Sequence, residues 1–299
     1  VALSVKESQL RYSYAKVNLH LHIGGVRPDG FHDLFSLFHL IDLHDDITVL
    51  TKDDGSGALS IEGMPFLSAE QNLMGKASRL FLERIHRETD SVHMTIIKRI
   101  PVKGGLGGGS SNAATVLLAL NDMYGSPLTT DVLLDLAGRI GSDVPFFIHR
   151  VPAAVVEGRG EIVRPVPARD DLHALIVIPA GDGISTADAF AAFDRLQNKD
   201  ISTKSLYKFS TVCHMYMKPV ERWKFSNDFK DVVVKLNEVY RRIYEIGGSE
   251  RHLYTTVSGS GSSCVFVSDS GPVEINRLDF TEVERTQVIN INTILLNKA

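Results

Sequence analysis

The sequence is poor in cysteine: Cys213 and Cys264 are the two in 299 residues, far apart and without CxxC spacing. Neither a zinc ribbon nor a disulfide framework is indicated, and a reducing, cytoplasmic setting is expected. A basic surplus is also lacking, since 32 Lys and Arg face 36 Asp and Glu for a formal net charge of -4. Dedicated nucleic-acid binders carry a basic face, so a small-molecule substrate is favoured and no nucleic-acid partner is expected. No apolar run approaches the roughly 20 residues needed to span a bilayer. The opening VALSVKESQLRYSY has no basic segment leading into an apolar core, so neither export nor membrane insertion is expected. What remains is an ordinary globular composition, 43% hydrophobic and 23% charged, in a length suited to one large domain or two packed ones.

Periodicity divides this chain into strands and helices. In AKVNLHLHI, Val17, Leu19, Leu21 and Ile23 share one parity and Lys16, Asn18, His20 and His22 the other, the alternation of a half-buried strand with an apolar and a chemical face. A Pro-Asp-Gly turn in RPDGFH leads to further strand, LFSLFHLIDLHDDITVL, which ends at the surface break KDDGSG. NLMGKASRLFLERIH places Leu73, Ala77, Leu80, Phe81 and Ile85 at helical spacing, and VHMTIIKRIP reads as strand. From Ser110, SSNAATVLLALNDMYG has the apolar stripe of a helix, ended by Gly125 and Pro127. ERWKFSND reads as the start of an amphipathic helix rather than a nucleic-acid patch.

Between that strand and that helix lies GGLGGGSS, residues 104 to 111. The first amides of a helix lack internal partners, and glycines let a preceding loop wrap an anion closely, so the segment is expected to bind phosphate. Ser110 and Ser111 offer hydroxyls to phosphate or metal. Gly104 and Gly109 have Walker spacing, but Ser110 stands where the lysine belongs, which excludes a P-loop ATPase. A dinucleotide fingerprint is disfavoured because no acidic ribose partner follows. Asp143, directly after a Gly-Ser turn, is expected between a helix and an apolar strand at 144–148. TVSGSGSSCVFV, residues 256 to 267, is a second Gly/Ser turn between strand-like flanks.

With AKVNL, PVKGGLGGGSSNAA and VSGSGSSCVFV in this order, the chain resembles the GHMP kinase superfamily. RPDGFHDLFSLF, GSDVPFF, EGRGE (157 to 161), ISTADAF (184 to 190) and FSNDF (225 to 229) narrow the resemblance to the branch that phosphorylates 4-diphosphocytidyl-2-C-methyl-D-erythritol in the non-mevalonate isoprenoid route. It covers most of the chain and weakens between about 195 and 222 and after about 270. The resemblance implies an α+β fold with a ribosomal S5-type N-terminal domain, residues 1–158, and a ferredoxin-like C-terminal domain, residues 159–299, with the active site in the cleft between them. A kinase for another small alcohol, or a non-catalytic nucleotide or metabolite sensor on the same fold, is the alternative. The presence of both Lys16 and Asp143 counts against a sensor.

Phosphoryl transfer needs positioning, charge stabilisation and a carboxylate near the attacking hydroxyl. The resemblance assigns that carboxylate to Asp143 and charge stabilisation to Lys16. It gives the triphosphate to Gly104, Gly105, Leu106, Gly107, Gly108, Gly109, Ser110 and Ser111, with Asn72 and Lys98 near the adenosine. Phe31 and Phe190 are expected to sandwich the cytosine, with His32 at its polar edge, and Asn18 and Thr186 on the substrate side. Aromatic stacking contributes roughly 1–3 kcal/mol per base. ATP with Mg2+ is the expected cofactor, the ion held mainly by phosphates, water and a serine hydroxyl. Asn112 stands where many relatives carry Asp, so it is not a required carboxylate. His20 and His22 have no third ligand in view, and no protein metal site is expected. A monomer or weak homodimer is expected.

Overall fold

The computed structural model describes residues 5–179, 184–196, 208–261, 263–273 and 287–292. Their contacts define two compact units, neither a single stretch of chain. One takes the described residues of Val1–Ala15, Leu43–Val102 and Gly107–Arg150, the other those of Lys16–Asp42, Lys103–Leu106 and Val151–Ala299. Three strands open the chain, β1 (Val5–Glu7), β2 (Arg11–Val26) and β3 (His32–Lys52), and the latter two contribute to both units.

In the first unit, β4 (Leu59–Glu62) runs parallel to β5 (Ser91–Ile97). β5 pairs antiparallel with the end of β3, Asp46 opposite Ile97, and β1 pairs with the same end, Val5 opposite Lys52. Val92, Met94 and Ile96 alternate inward along β5, as the period-two pattern requires. The helices of this unit are α1 (Leu73–Arg84), which packs against β4, α2 (Gly108–Met123), α3 (Thr130–Ile140) and α4 (Val144–Ile148). α1 buries Met74, Ala77 and Phe81 at helical spacing. α2 buries Ala113, Ala114, Val116, Leu117, Ala119 and Leu120, on nearly every side, because α1, α3 and α4 all pack on it.

In the second unit, β6 (Ala153–Gly158) pairs with the first part of β3, and β7 (Ile162–Pro165) continues the sheet. A separate antiparallel sheet has the order β11-β8-β10-β9, from β8 (His173–Ile178), β9 (Tyr254–Val257), β10 (Cys264–Ser268) and β11 (Gln287–Asn292). The helices here are α5 (Thr186–Leu196), α6 (Phe209–Tyr216), α7 (Lys230–Leu236) and α8 (Glu238–Ser249). Leu175, Val177, Phe193, Phe229, Val233, Ile243 and Phe266 form one apolar core with Leu21 and Ile23 of β2. Gly247 lets α8 approach the sheet: a side-chain carbon there would lie 2.0 Å from Thr255 Oγ1 and 2.8 Å from Phe266.

Three expectations are corrected. Residues 144–148 form α4 rather than a strand, because Pro145 in the first turn favours a helix start and five apolar residues carry no decisive period. The chemical face of β2 is not half-exposed: Lys16, Asn18 and His20 are all buried. ERWKFSND is not the start of an amphipathic helix. After the 3-10 turn Val220–Arg222 the chain is extended, burying Trp223, Phe225 and Asn227 at period two. It lies along β2, with Leu21 N–H donating to the Ser226 carbonyl and Asp228 N–H to the Leu21 carbonyl.

Candidate active site

In the second unit, residues from three distant parts of the sequence meet around Asn18. Its Oδ1 accepts from Lys16 Nζ at 2.6 Å and from the Gly259 N–H at 2.9 Å, and its Nδ2 donates to Ser36 Oγ at 3.0 Å. Lys16 Nζ also lies 4.4 Å from the centre of the Phe38 ring, a cation–π distance. Lys16 N–H donates to the Leu106 carbonyl at 2.9 Å, which ties the glycine loop to β2. Ser258 closes the loop from the other end of the sequence, its hydroxyl donating to the Gly105 carbonyl at 3.0 Å. Gly105 has φ +71°, and a side-chain carbon there would lie 2.3 Å from the Ser258 carbonyl oxygen, so no other residue fits. Ser262 of the third motif lies outside the described residues.

The first unit presents the head of α2. Gly107 is its N-cap at φ 70° and supplies no side-chain cap, so the leading amides have neither an intrahelical nor a capping side-chain partner. Helix α2 begins two residues before Ser110, placing Gly108 and Gly109 in its first turn. Ser110 is half-buried there, whereas Ser111 is buried. The Ser13 hydroxyl lies 2.8 Å from Ser111 Oγ and 2.7 Å from Asn112 Oδ1. An amide oxygen only accepts, so Ser13 donates to Asn112 and accepts from Ser111. Asn112 is thus an anchor for the helix head.

Lys98 approaches the same turn: a side-chain carbon at Gly108 would lie 3.2 Å from its Nζ. The ammonium donates to Asp45 Oδ2 at 2.6 Å and to the Ile100 carbonyl at 2.7 Å. Burial draws Lys98 below the usual lysine range, opposed by the hydrogen bond and charge of Asp45. Asp45 is fully buried and also accepts from the N–H groups of Arg99 and Ile100 at 2.7 and 2.8 Å. An ammonium beside the positive end of a helix dipole favours an anion between them. Asn72 is the N-cap of α1, its Oδ1 accepting from Met74 N–H at 3.0 Å. Asp143, half-buried, stands at the N-cap position of α4, but its side chain makes no capping bond.

The residues expected at the acceptor base also lie in the second unit. Phe31, at the β2–β3 turn, is 49% exposed, with the Arg159 guanidinium 4.9 Å from its ring centre. Phe190 stacks on His32 at 5.1 Å and 17°, and meets Phe229 edge-on at 4.9 Å. His32 is buried; its Nδ1 donates to the Gly24 carbonyl at 3.0 Å and its Nε2 lies 3.2 Å from Asp194. Thr186 begins α5 and accepts from the Ser260 hydroxyl at 3.1 Å. The fold therefore joins His32 with Phe190, and Thr186 with the third motif.

Sequence reasoning missed Ser36, Asp45 and Ser13. Each looks like an ordinary strand residue, and its partner is 18 to 99 positions away. Among the described residues no group of three or more His, Cys, Asp or Glu could hold a metal ion. No helix among them is long and apolar enough to cross a membrane.

Residues 72–150 match the GHMP kinases N terminal domain, which places the chain among the kinases of that class. The chain is 35% identical over 268 residues to a 4-diphosphocytidyl-2-C-methyl-D-erythritol kinase of Salinispora tropica, covering 88% of this chain and 84% of the relative. A protein of the same name from Mycolicibacterium vanbaalenii is 34% identical, over 87% and 82% of the two chains. The crystal structure of a 4-(cytidine 5'-diphospho)-2C-methyl-D-erythritol kinase superposes with a TM-score of 0.70 at 28% identity, over 95% of this chain and 99% of that one. The chain belongs to the 4-diphosphocytidyl-2-C-methyl-D-erythritol kinase family, and its α+β fold is that of the GHMP kinases, a family of nucleotide-using enzymes.

Proposed function

We propose that the chain transfers the γ-phosphoryl group of ATP to the 2-hydroxyl of 4-diphosphocytidyl-2-C-methyl-D-erythritol, giving the 2-phosphate and ADP in isoprenoid precursor synthesis. The observation that carries this is the convergence of Lys16, the Gly105–Leu106 segment and the Ser258–Gly259 turn on Asn18 and its neighbours. Family membership supplies the acceptor.

The chemistry divides among residues by what each can do. Lys16 brings a buried ammonium, worth more than one in water because little solvent screens it, to stabilise charge on the transferring group. Asp143 is the carboxylate that orients the attacking hydroxyl and takes its proton. The amides of Gly108, Gly109 and Ser110 hold phosphate oxygens at the head of α2, beside Lys98. Mg2+, bound together with ATP, would neutralise phosphate charge. Ser110 fits as its hydroxyl ligand, since the Ser111 hydroxyl is committed to Ser13. The exposed ring of Phe31 offers a stacking face to the cytosine. Asn72 and Lys98 border the adenosine, and Thr186 and the His32–Phe190 pair the acceptor. Mg2+ dependence, the monomeric or weakly dimeric state and a cytoplasmic setting belong to the same proposal.

ADP formation with Mg-ATP tests it, comparing the cytidylyl substrate with mevalonate, homoserine and galactose. Selective turnover of the cytidylyl substrate is expected, with Asp143→Asn lowering kcat by roughly 10²–10⁴ and leaving ATP binding within a few-fold. Equal turnover of the smaller alcohols would overturn the assigned acceptor, and an unchanged Asp143→Asn the assigned base.

A further inference from the structure

We propose that Ser36 is a positioning residue for phosphoryl transfer, acting through the Asn18 amide to fix the direction of the Lys16 ammonium. This rests on the reading of Lys16 given above.

Ser36, on β3, is 1% exposed. Its hydroxyl donates to the His20 carbonyl at 2.5 Å. A serine hydroxyl has one proton; once that is committed to a carbonyl, the oxygen can only accept. It accepts from Asn18 Nδ2 at 3.0 Å. The two ends of an asparagine amide differ, so this bond selects one of two orientations and turns Oδ1 toward Lys16 Nζ and the Gly259 N–H. The flipped amide would set its NH2 against two donors and its oxygen against Ser36 lone pairs. Asn18 is 2% exposed, so water is poorly placed to repair those mismatches.

Lys16 needs such a guide. Its ammonium is a point charge with three rotatable donors on a four-carbon stem. The Phe38 ring attracts the cation but exerts little control over where its N–H bonds point. The Asn18 amide oxygen takes one of those N–H bonds, and Ser36 orients the amide. The Ser258 hydroxyl, also committed to a backbone carbonyl, accepts from the Asn18 N–H at 3.3 Å, so two hydroxyls hold this residue from opposite ends of the sequence.

The test measures kcat and KM for Mg-ATP and 4-diphosphocytidyl-2-C-methyl-D-erythritol, together with Tm, in Ser36→Ala, Ser36→Thr, Lys16→Met and the double variant Lys16→Met/Ser36→Ala. Ser36→Ala is expected to lower kcat roughly 10- to 100-fold, the scale of a misplaced group, with both KM values within about threefold. Ser36→Thr, which keeps the hydroxyl, recovers most of the loss. In the Lys16→Met background, Ser36→Ala costs nothing further in residual turnover, because the group it positions is gone. Asn18→Asp supplies a second background: a carboxylate has no wrong end, so Ser36→Ala should change its kcat less than about threefold. Should Ser36→Ala fail to fold, Ser36→Cys, a weaker acceptor of similar volume, replaces it with the same expectations. Full kcat in Ser36→Ala, or a loss that persists undiminished in the Lys16→Met background, overturns the positioning role while Lys16 keeps its own. Unchanged turnover in Lys16→Met instead overturns the role of Lys16, and this proposal with it.

Discussion

At the scale of single residues, the site depends on hydrogen-bond partners chosen for what they cannot do. Asp45 shows this beside the helix head. It accepts from two backbone N–H groups and from Lys98 Nζ, so both carboxylate oxygens are paired while buried. Replacing it with Asn removes the charge that holds an ammonium beside the positive end of α2. Asp45→Asn is expected to raise the KM for ATP about tenfold or more, with kcat within a few-fold, measured in steady-state assays. An unchanged KM would detach Lys98 from nucleotide binding. Lys16 and the glycine loop stand in ordered motifs and Asp143 in the GSDVPFF stretch, so each could be singled out from the sequence. Ser36, Asp45 and Ser13 could not, because Ser and Asp in a strand carry no local signature of a partner tens of residues away.

At the scale of elements, local pattern succeeded where one face decided the structure and failed where both did. α1 keeps its apolar residues on one side and was readable from spacing. β2 is covered on both faces around Lys16, Asn18 and His20, and a polar face at period two gives no warning that another segment will cover it. That cover is partly 223–228, whose alternating Trp223, Phe225 and Asn227 held a strand-like signal hidden among charges. The packing of α8 makes a sharper prediction. Gly247→Ala sets a methyl group against Thr255 and Phe266, so helix and sheet must separate. Overpacking typically costs 1–3 kcal/mol, which should appear as a Tm lower by several degrees, while turnover per folded molecule stays near the parent value. A Tm within about a degree of the parent would show that α8 shifts without cost.

At the scale of the whole molecule, acid stability is set partly by histidines buried neutral. Burial pushes His39 and His20 down to about 4, for His39 against its hydrogen bond to the Leu40 carbonyl and for His20 against that to Ser226. Arg169 lowers His39 further while Asp171 opposes it; Asp228 raises His20 and His22 lowers it. The unfolded chain binds these two protons near pH 6.5 and the folded chain does not until about pH 4. Their contribution to stability is therefore present above pH 6.5 and lost as pH falls toward 4. Each proton gives a slope of about 1.4 kcal/mol per pH unit inside that window. Urea unfolding at a series of pH values should show it, and His39→Gln should reduce the slope by about one proton; an identical slope would place the acid sensitivity elsewhere.

The bond from Ser258 to the Gly105 carbonyl also has a meaning in time. Residue 105 leaves the ribosome 153 positions ahead of its partner, after α1 and just before α2. Until Ser258 and Gly259 have been synthesised, Asn18 lacks one of the N–H groups that hold it and the glycine loop lacks its latch. A nascent chain halted before that turn would carry the helix head without a finished cradle. The latch on the glycine loop is thus set only once the Ser258–Gly259 turn has been made.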